Sequence, residues 1–146
     1  MVPSRFIVHV SADNRYKLYV NGKLVSLGPA RGDIYNWSFE TVDLAPYLRK
    51  GKNTLASVVW NYAERKPVAQ ISYDQTGFIL QGNTGHEAVV NTDTTWVCLR
   101  NKAYAPWTEW QVLGYYVAGP GEELEASAYP WGWEQPDYDL SLIHIS

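Results

Sequence analysis

Carboxylates are the side chains here best suited to acid–base chemistry, and Asp13, Asp33, Glu40, Asp43, Asp74, Asp93 and Glu122 are the candidates. Hydrolysis of a glycosidic bond, for one, needs two carboxyl groups about 5–5.5 Å apart for retention or about 6.5–9.5 Å apart for inversion. None of these residues lies in a motif that marks it as acid, base or nucleophile. Asp13, beside Asn14, and Asp43, ahead of Leu44-Ala45-Pro46, stand where turns and helix starts favour Asp. A structural role is therefore read for each in preference to a catalytic one. His9, His86 and His144 are far apart and Cys98 has no ligand partner near it, so zinc-ligand spacing is absent. Nothing marks an oxygen-ligand site for calcium. Gly22, Gly28 and Gly32 form no phosphate-cradling run ahead of a helix, and no Ser-His-Asp pattern announces a nucleophile. No cofactor and no metal is expected.

Aromatic side chains are the stronger functional candidates. A sugar presents an apolar C–H face and a rim of hydroxyls, which a flat ring and a few polar groups can hold together. Trp37, Trp60 and Tyr62, with Asn61, Asp33 and Arg31, supply both types within a short span. Arg31, Asp33, Trp37, Asn61 and Tyr62 are the carbohydrate-binding candidates. Trp60 is read as core, because it lies in the best strand pattern. For Arg31 and Asp33, pinning of a Gly-rich loop is preferred to ligand contact. Trp107, Trp110, Trp131 and Trp133 form a later cluster in Pro- and Gly-containing context. They read as an exposed surface for a neighbouring domain, with glycan second.

The elements that must position these residues are short strands. The chain has 146 residues with 46% hydrophobic and 18% charged, enough for one globular domain with a real core. Its aromatic fraction is 14%, with seven Trp and eleven Tyr, which together with little helical periodicity points to an all-β domain. Phe6, Val8 and Val10 alternate with Ile7, His9 and Ser11, a strand apolar enough on both faces to be central. Tyr16–Val20 and Lys23–Leu27 flank Asn21-Gly22, the residue pair that a type I′ hairpin turn requires. The 28–33 stretch is a loop, Trp37–Asp43 a strand, and 43–48 one helical turn with Asp43 near its N-cap. Thr54–Tyr62 is the clearest strand. Further strands are expected at Val68–Tyr73, Phe78–Gln81, Ala88–Asn91 and Trp96–Arg100. Residues 1–102 form the sandwich core and 103–140 an aromatic, loop-rich extension of the same domain. Residues 141–146 resemble translated sequencing-adapter read-through and are read as a non-native tail.

The net charge of −3, without a Lys/Arg run, argues against nucleic acid, and no apolar run is long enough to span a bilayer. Lone Cys98 fits a reducing compartment, no signal peptide is visible, and the compartment stays open between periplasm and cytoplasm.

The stretch Ala12-Asp13-Asn14-Arg15-Tyr16-Lys17-Leu18-Tyr19-Val20-Asn21-Gly22 resembles the sugar-binding-like β-sandwich that precedes the catalytic domain in many bacterial glycoside hydrolases. Taken with Gly28-Pro29-Ala30-Arg31-Gly32-Asp33, Asp43–Asn53 and Val58-Val59-Trp60-Asn61-Tyr62, it resembles the N-terminal region of bacterial α-L-rhamnosidases of the glycoside hydrolase family 78 type. The likeness covers Phe6 to about Asn101, and Tyr129–Asp139 resembles the stretch where such proteins return to the sandwich. Family members continue into an (α/α)-barrel that carries the catalytic acids, and they have a strand before the one at Phe6. Neither is in this sequence, so it is expected to be a fragment of a longer enzyme, and no catalytic residue carries over. The resemblance implies an antiparallel β-sandwich of the jelly-roll, galactose-binding-domain-like kind. It implies a non-catalytic accessory module that partners the barrel of its own parent chain and a rhamnose-containing glycan. A free-standing carbohydrate-binding module and the sandwich domain of a β-galactosidase-like glycosidase are the alternatives.

Overall fold

The computed structural model describes residues 2–66, 70, 72, 75–106 and 121–142. Strand β1 (Ile7–Asp13) is followed after a single residue by β2 (Arg15–Val20), then β3 (Lys23–Gly28), β4 (Glu40–Asp43), β5 (Leu55–Trp60) and β6 (Gly77–Gly82). These six strands form two three-stranded antiparallel sheets, ordered β4-β1-β6 and β3-β2-β5. A third, two-stranded ribbon pairs β7 (Tyr104–Pro106) with β8 (Glu122–Leu124). The architecture is a β-sandwich.

Alternation decides what goes inside. Phe6, Val8, Val10 and Ala12 of the first strand region and Tyr16, Leu18 and Val20 of β2 meet across the gap, joined by Leu44, Ala45 and Leu80. Each of the two central strands thus contributes every second residue to one shared core. The expectation that β1 is central holds, since it lies between β4 and β6. Its outer face carries His9, half-buried, with Nδ1 3.0 Å from Thr41 Oγ1 and Nε2 3.0 Å from Asn83 Oδ1.

The chain changes sheets at Asn14, which is 1% exposed. Its backbone N–H donates to Trp60 O (3.2 Å), its Nδ2 to Asp13 Oδ1 (2.6 Å), and its Oδ1 accepts from Tyr62 N–H (2.9 Å). Asn61 Nδ2 (3.1 Å) and Ser72 Oγ (2.7 Å) also donate to Asp13 Oδ1. A buried polar group is tolerated only when bonded, and here the bonds tie the end of the first sheet to the end of the second.

The hairpin turn is as the Asn-Gly pair predicts, with φ of 51° at Asn21 and 80° at Gly22. Asn21 Nδ2 donates to Tyr47 O and Asn53 Oδ1, and its Oδ1 accepts from Thr54 N–H. A Cβ on Gly22 would lie 2.5 Å from Gln135 Nε2, because the 129–139 stretch folds back onto this turn.

Three expectations are corrected. The strand expected from Trp37 begins only at Glu40, because the backbone ahead of it is drawn into a turn at 33–36 and Ser38 O is taken by Ser11 Oγ (2.7 Å). The helical turn expected over 43–48 does form, as a short 3-10 helix at Ala45–Tyr47 with Leu44 as N-cap and Asp43 beside it, whose Oδ1 accepts from Ala45 and Phe6 N–H. Ala88–Asn91 is not a strand. Glu87–Val90 is a 3-10 turn, wound because the Glu87 carboxylate accepts from both Thr84 N–H and Thr84 Oγ1. Trp96–Arg100 has no ladder among the described residues; Trp96 is fixed by Nε1 donating to Asn91 O (3.0 Å) and by its ring against Phe78. The strand expected over 68–73 lies outside the described residues apart from Gln70 and Ser72, as do Trp107, Trp110 and His144.

Candidate functional site

At the end of the sandwich where β1 passes into β2, the 29–32 loop and residues 37 and 38 leave a depression. Pro29, Ala30, Arg31, Gly32, Trp37 and Ser38 line it, with Asn14 and Gln70. The free space inside it is about 10 Å³, room for about one water molecule and far below the roughly 300–1,000 Å³ of sites that engulf a small molecule.

Both sheets hold the loop in place. Arg15 from β2 donates Nη1–H to Pro29 O (2.8 Å) and Nε–H to Gln70 Oε1 (3.1 Å). Glu40 from β4 accepts Ala30 N–H at Oε1 (2.7 Å). The loop then closes on itself: Asp33 Oδ1 accepts from Tyr35 N–H (2.8 Å) and Asn36 N–H (2.8 Å), and Asn36 Nδ2 donates to Oδ2 (3.0 Å). The Asn36 amide and then these backbone N–H groups hold the Asp33 carboxyl below its usual range. Gly32 is required where it stands, because a Cβ there would lie 2.2 Å from Asn36 O.

The candidate residues therefore separate. Arg31, exposed, and Trp37, half-buried, face the same depression. Asp33 shares their loop, but its oxygens serve the turn. Asn61 spends Nδ2 on Asp13 and Ser72 and Oδ1 on Ala63 N–H. Tyr62 is half-buried, and its backbone N–H anchors Asn14. Trp60 is not core. It pairs with Arg15 on the outer face of its sheet, with Lys17 Nζ 5.9 Å from its ring centroid, and Val59 is the residue packed against the core. The reason is phase: β2 points Tyr16 and Leu18 inward, so Arg15 and its partner Trp60 point out.

Sequence reasoning missed Asn14, Ser38 and Gln70. Asp13-Asn14 carries the signal of an ordinary turn, and lone Ser and Gln residues carry none.

The late aromatics make a chain of ring contacts on the domain itself. Trp133, half-buried, lies edge-on to Tyr19 (5.4 Å between centroids) and donates Nε1–H to Tyr129 OH (3.0 Å). Trp131 is 65% exposed, yet its ring is fixed by Nε1–H donating to Ala126 O (2.8 Å) and by Tyr129 at 4.6 Å.

Asp33, Asp43, Glu87, Asp93, Glu125 and Asp139 are all held below their usual range, in each case mainly by hydrogen bonds donated to the carboxylate. A general acid working near neutral pH needs the opposite shift. Among the described residues, no group of three His, Cys, Asp or Glu side chains is placed to hold a metal ion.

No family model matches the chain, and no curated protein matches it significantly. A solved structure does: the GH78 family rhamnosidase of Bacillus sp. GL1 superposes with a TM-score of 0.71 at 24% identity. The match covers 98% of this chain and 15% of that one. The two share a fold over that region, and this chain spans about 15% of the length of the rhamnosidase.

Proposed function

We propose that this chain is a non-catalytic accessory module of an α-L-rhamnosidase-like glycoside hydrolase, whose whole form removes terminal α-L-rhamnose from glycans. The observation that carries the reading is the superposition of nearly the whole chain, 98%, on 15% of a GH78 family rhamnosidase. The carboxylates support it, since the shifted ones all have lowered pKa values, held there mainly by hydrogen bonds donated from within the domain. The module's partner is the catalytic (α/α)-barrel of the same parent, and Trp131, rigid and exposed, is the described aromatic best placed to meet it. Trp107 and Trp110, which lie outside the described residues, are proposed for the same role from the sequence alone, while Trp133 steadies Trp131 through Tyr129.

The test is incubation of the purified chain with an aryl α-L-rhamnoside. No aryl alcohol should be released. Turnover abolished by substituting one of this chain's carboxylates would overturn the reading.

A further inference from the structure

We propose that Asn21 is a deamidation site that the folded chain keeps closed, and that its conversion loosens the β2–β3 hairpin for good. Asn21-Gly22 is the one Asn-Gly pair in the sequence. A glycine nitrogen is the backbone nitrogen best able to reach a preceding Asn amide, because no Cβ hinders it. The step needs only water. Hydroxide takes the Gly22 N–H proton, and the nitrogen bonds to Asn21 Cγ. The Cγ–Nδ2 bond breaks, the amide leaves as ammonia, and hydroxide is returned. One water then opens the five-membered imide, giving Asp or isoaspartate at position 21. Both residues are half-buried at the hairpin tip, within reach of solvent.

What holds the site closed is a clasp on the Asn21 amide. Nδ2 donates to Tyr47 O (3.0 Å) and to Asn53 Oδ1 (2.9 Å), and Oδ1 accepts from Thr54 N–H (3.0 Å). All three partners lie in the 47–54 segment and none on the Gly22 side. For the Gly22 nitrogen to reach Cγ, the amide must turn away from them. The clasp is stiff from its far end too, since Asn53 Oδ1 also accepts from Arg49 N–H (2.8 Å) and its Nδ2 donates to Arg49 O (2.8 Å). Once the amide is converted, the clasp is not remade. A carboxylate has no N–H for Tyr47 O or Asn53 Oδ1 and sets oxygen against oxygen. Isoaspartate also adds a carbon to the main chain of a two-residue turn held at φ 51° and 80°. The hairpin tip therefore keeps a one-way record of each time it opens.

The experiment ages the whole chain in mildly alkaline buffer, with and without urea beyond the unfolding midpoint. Trypsin then releases Leu18–Lys23, and chromatography with mass spectrometry counts its Asn, Asp and isoaspartate forms. Conversion without urea should run about a hundredfold slower than with it, the worth of three neutral hydrogen bonds that must open first. Asn53→Ala removes one of them and should speed the reaction in the folded chain about fivefold. Amide hydrogen exchange separates clasp opening from general unfolding: in that variant Thr54 N–H should exchange faster by the same factor, while Leu18, buried in β2, keeps its rate. Equal rates with and without urea, no conversion in urea, or an unchanged rate in Asn53→Ala would overturn the proposal. So would a rate that rises only in step with exchange at Leu18.

Discussion

Asn14→Ala should cost about 2.5–4 kcal/mol of folding free energy. Among the described residues, the side chain makes two hydrogen bonds at a position 1% exposed. Its Oδ1 accepts from Tyr62 N–H at 2.9 Å, a neutral bond worth about 1 kcal/mol net. Its Nδ2 donates to the Asp13 carboxylate at 2.6 Å, a bond to a charge worth about 1.5–3 kcal/mol. Asp13 keeps Asn61 and Ser72 as donors, which limits the further cost of stranding a carboxylate. Urea unfolding reads the loss as a shift of midpoint at unchanged slope. Asn14→Asp adds a discriminating control. It sets a second carboxyl against Asp13 and removes the Nδ2 donor, so it should cost at least as much as Asn14→Ala at neutral pH. A loss under about 1 kcal/mol for Asn14→Ala would show that the sheet switch is not held by this amide.

Gly22→Ala should destabilise by about 1–2 kcal/mol in the same assay, since it strains a residue at φ 80° and displaces the Gln135 side chain. Trp60→Ala should cost clearly less than Leu18→Ala, which should cost about 2–5 kcal/mol as a core truncation; equal losses would return Trp60 to the interior. The thermal midpoint should fall as the medium is acidified below about pH 4, because Asp33, Asp43 and Glu87 have folded pKa values below their unfolded ones. Their contribution is complete above the unfolded values and lost as pH drops through the folded ones. Asp43→Asn should flatten that acid limb, and an unchanged limb would remove Asp43 from the account.

The hairpin was legible because Asn21-Gly22 admits little else, and β1 and β6 because apolar residues bracketed by turns have few other uses. Strand β5 was legible in position but not in phase. In β5, Ser57 shares a side with Leu55 and Val59, while Val58 and Trp60 lie opposite, so hydropathy favours the wrong face. Burial by β2 decides the matter, and that is a long-range fact. The expected strand over 88–91 failed for a local reason: Glu87 folds back on Thr84, and Val89 ends 83% exposed despite its β propensity. At the site, the loop chemistry pointed to Arg31 and Trp37, which line one depression. Asp33 and Asn61 have suitable side chains too, but only coordinates reveal that their polar atoms are already bonded inside the domain. No residue-type signal distinguishes a spent carboxylate from a free one.

The central claim is that this sandwich serves a hydrolase without housing its reaction. It is tested most directly by grafting the chain into the Bacillus rhamnosidase in place of the 15% it matches, and measuring aryl α-L-rhamnoside release beside the chain alone. The account predicts a folded chimera that cleaves the substrate and an isolated chain that does not. Cleavage by the isolated chain, or a folded chimera with an intact barrel and no activity, would contradict it.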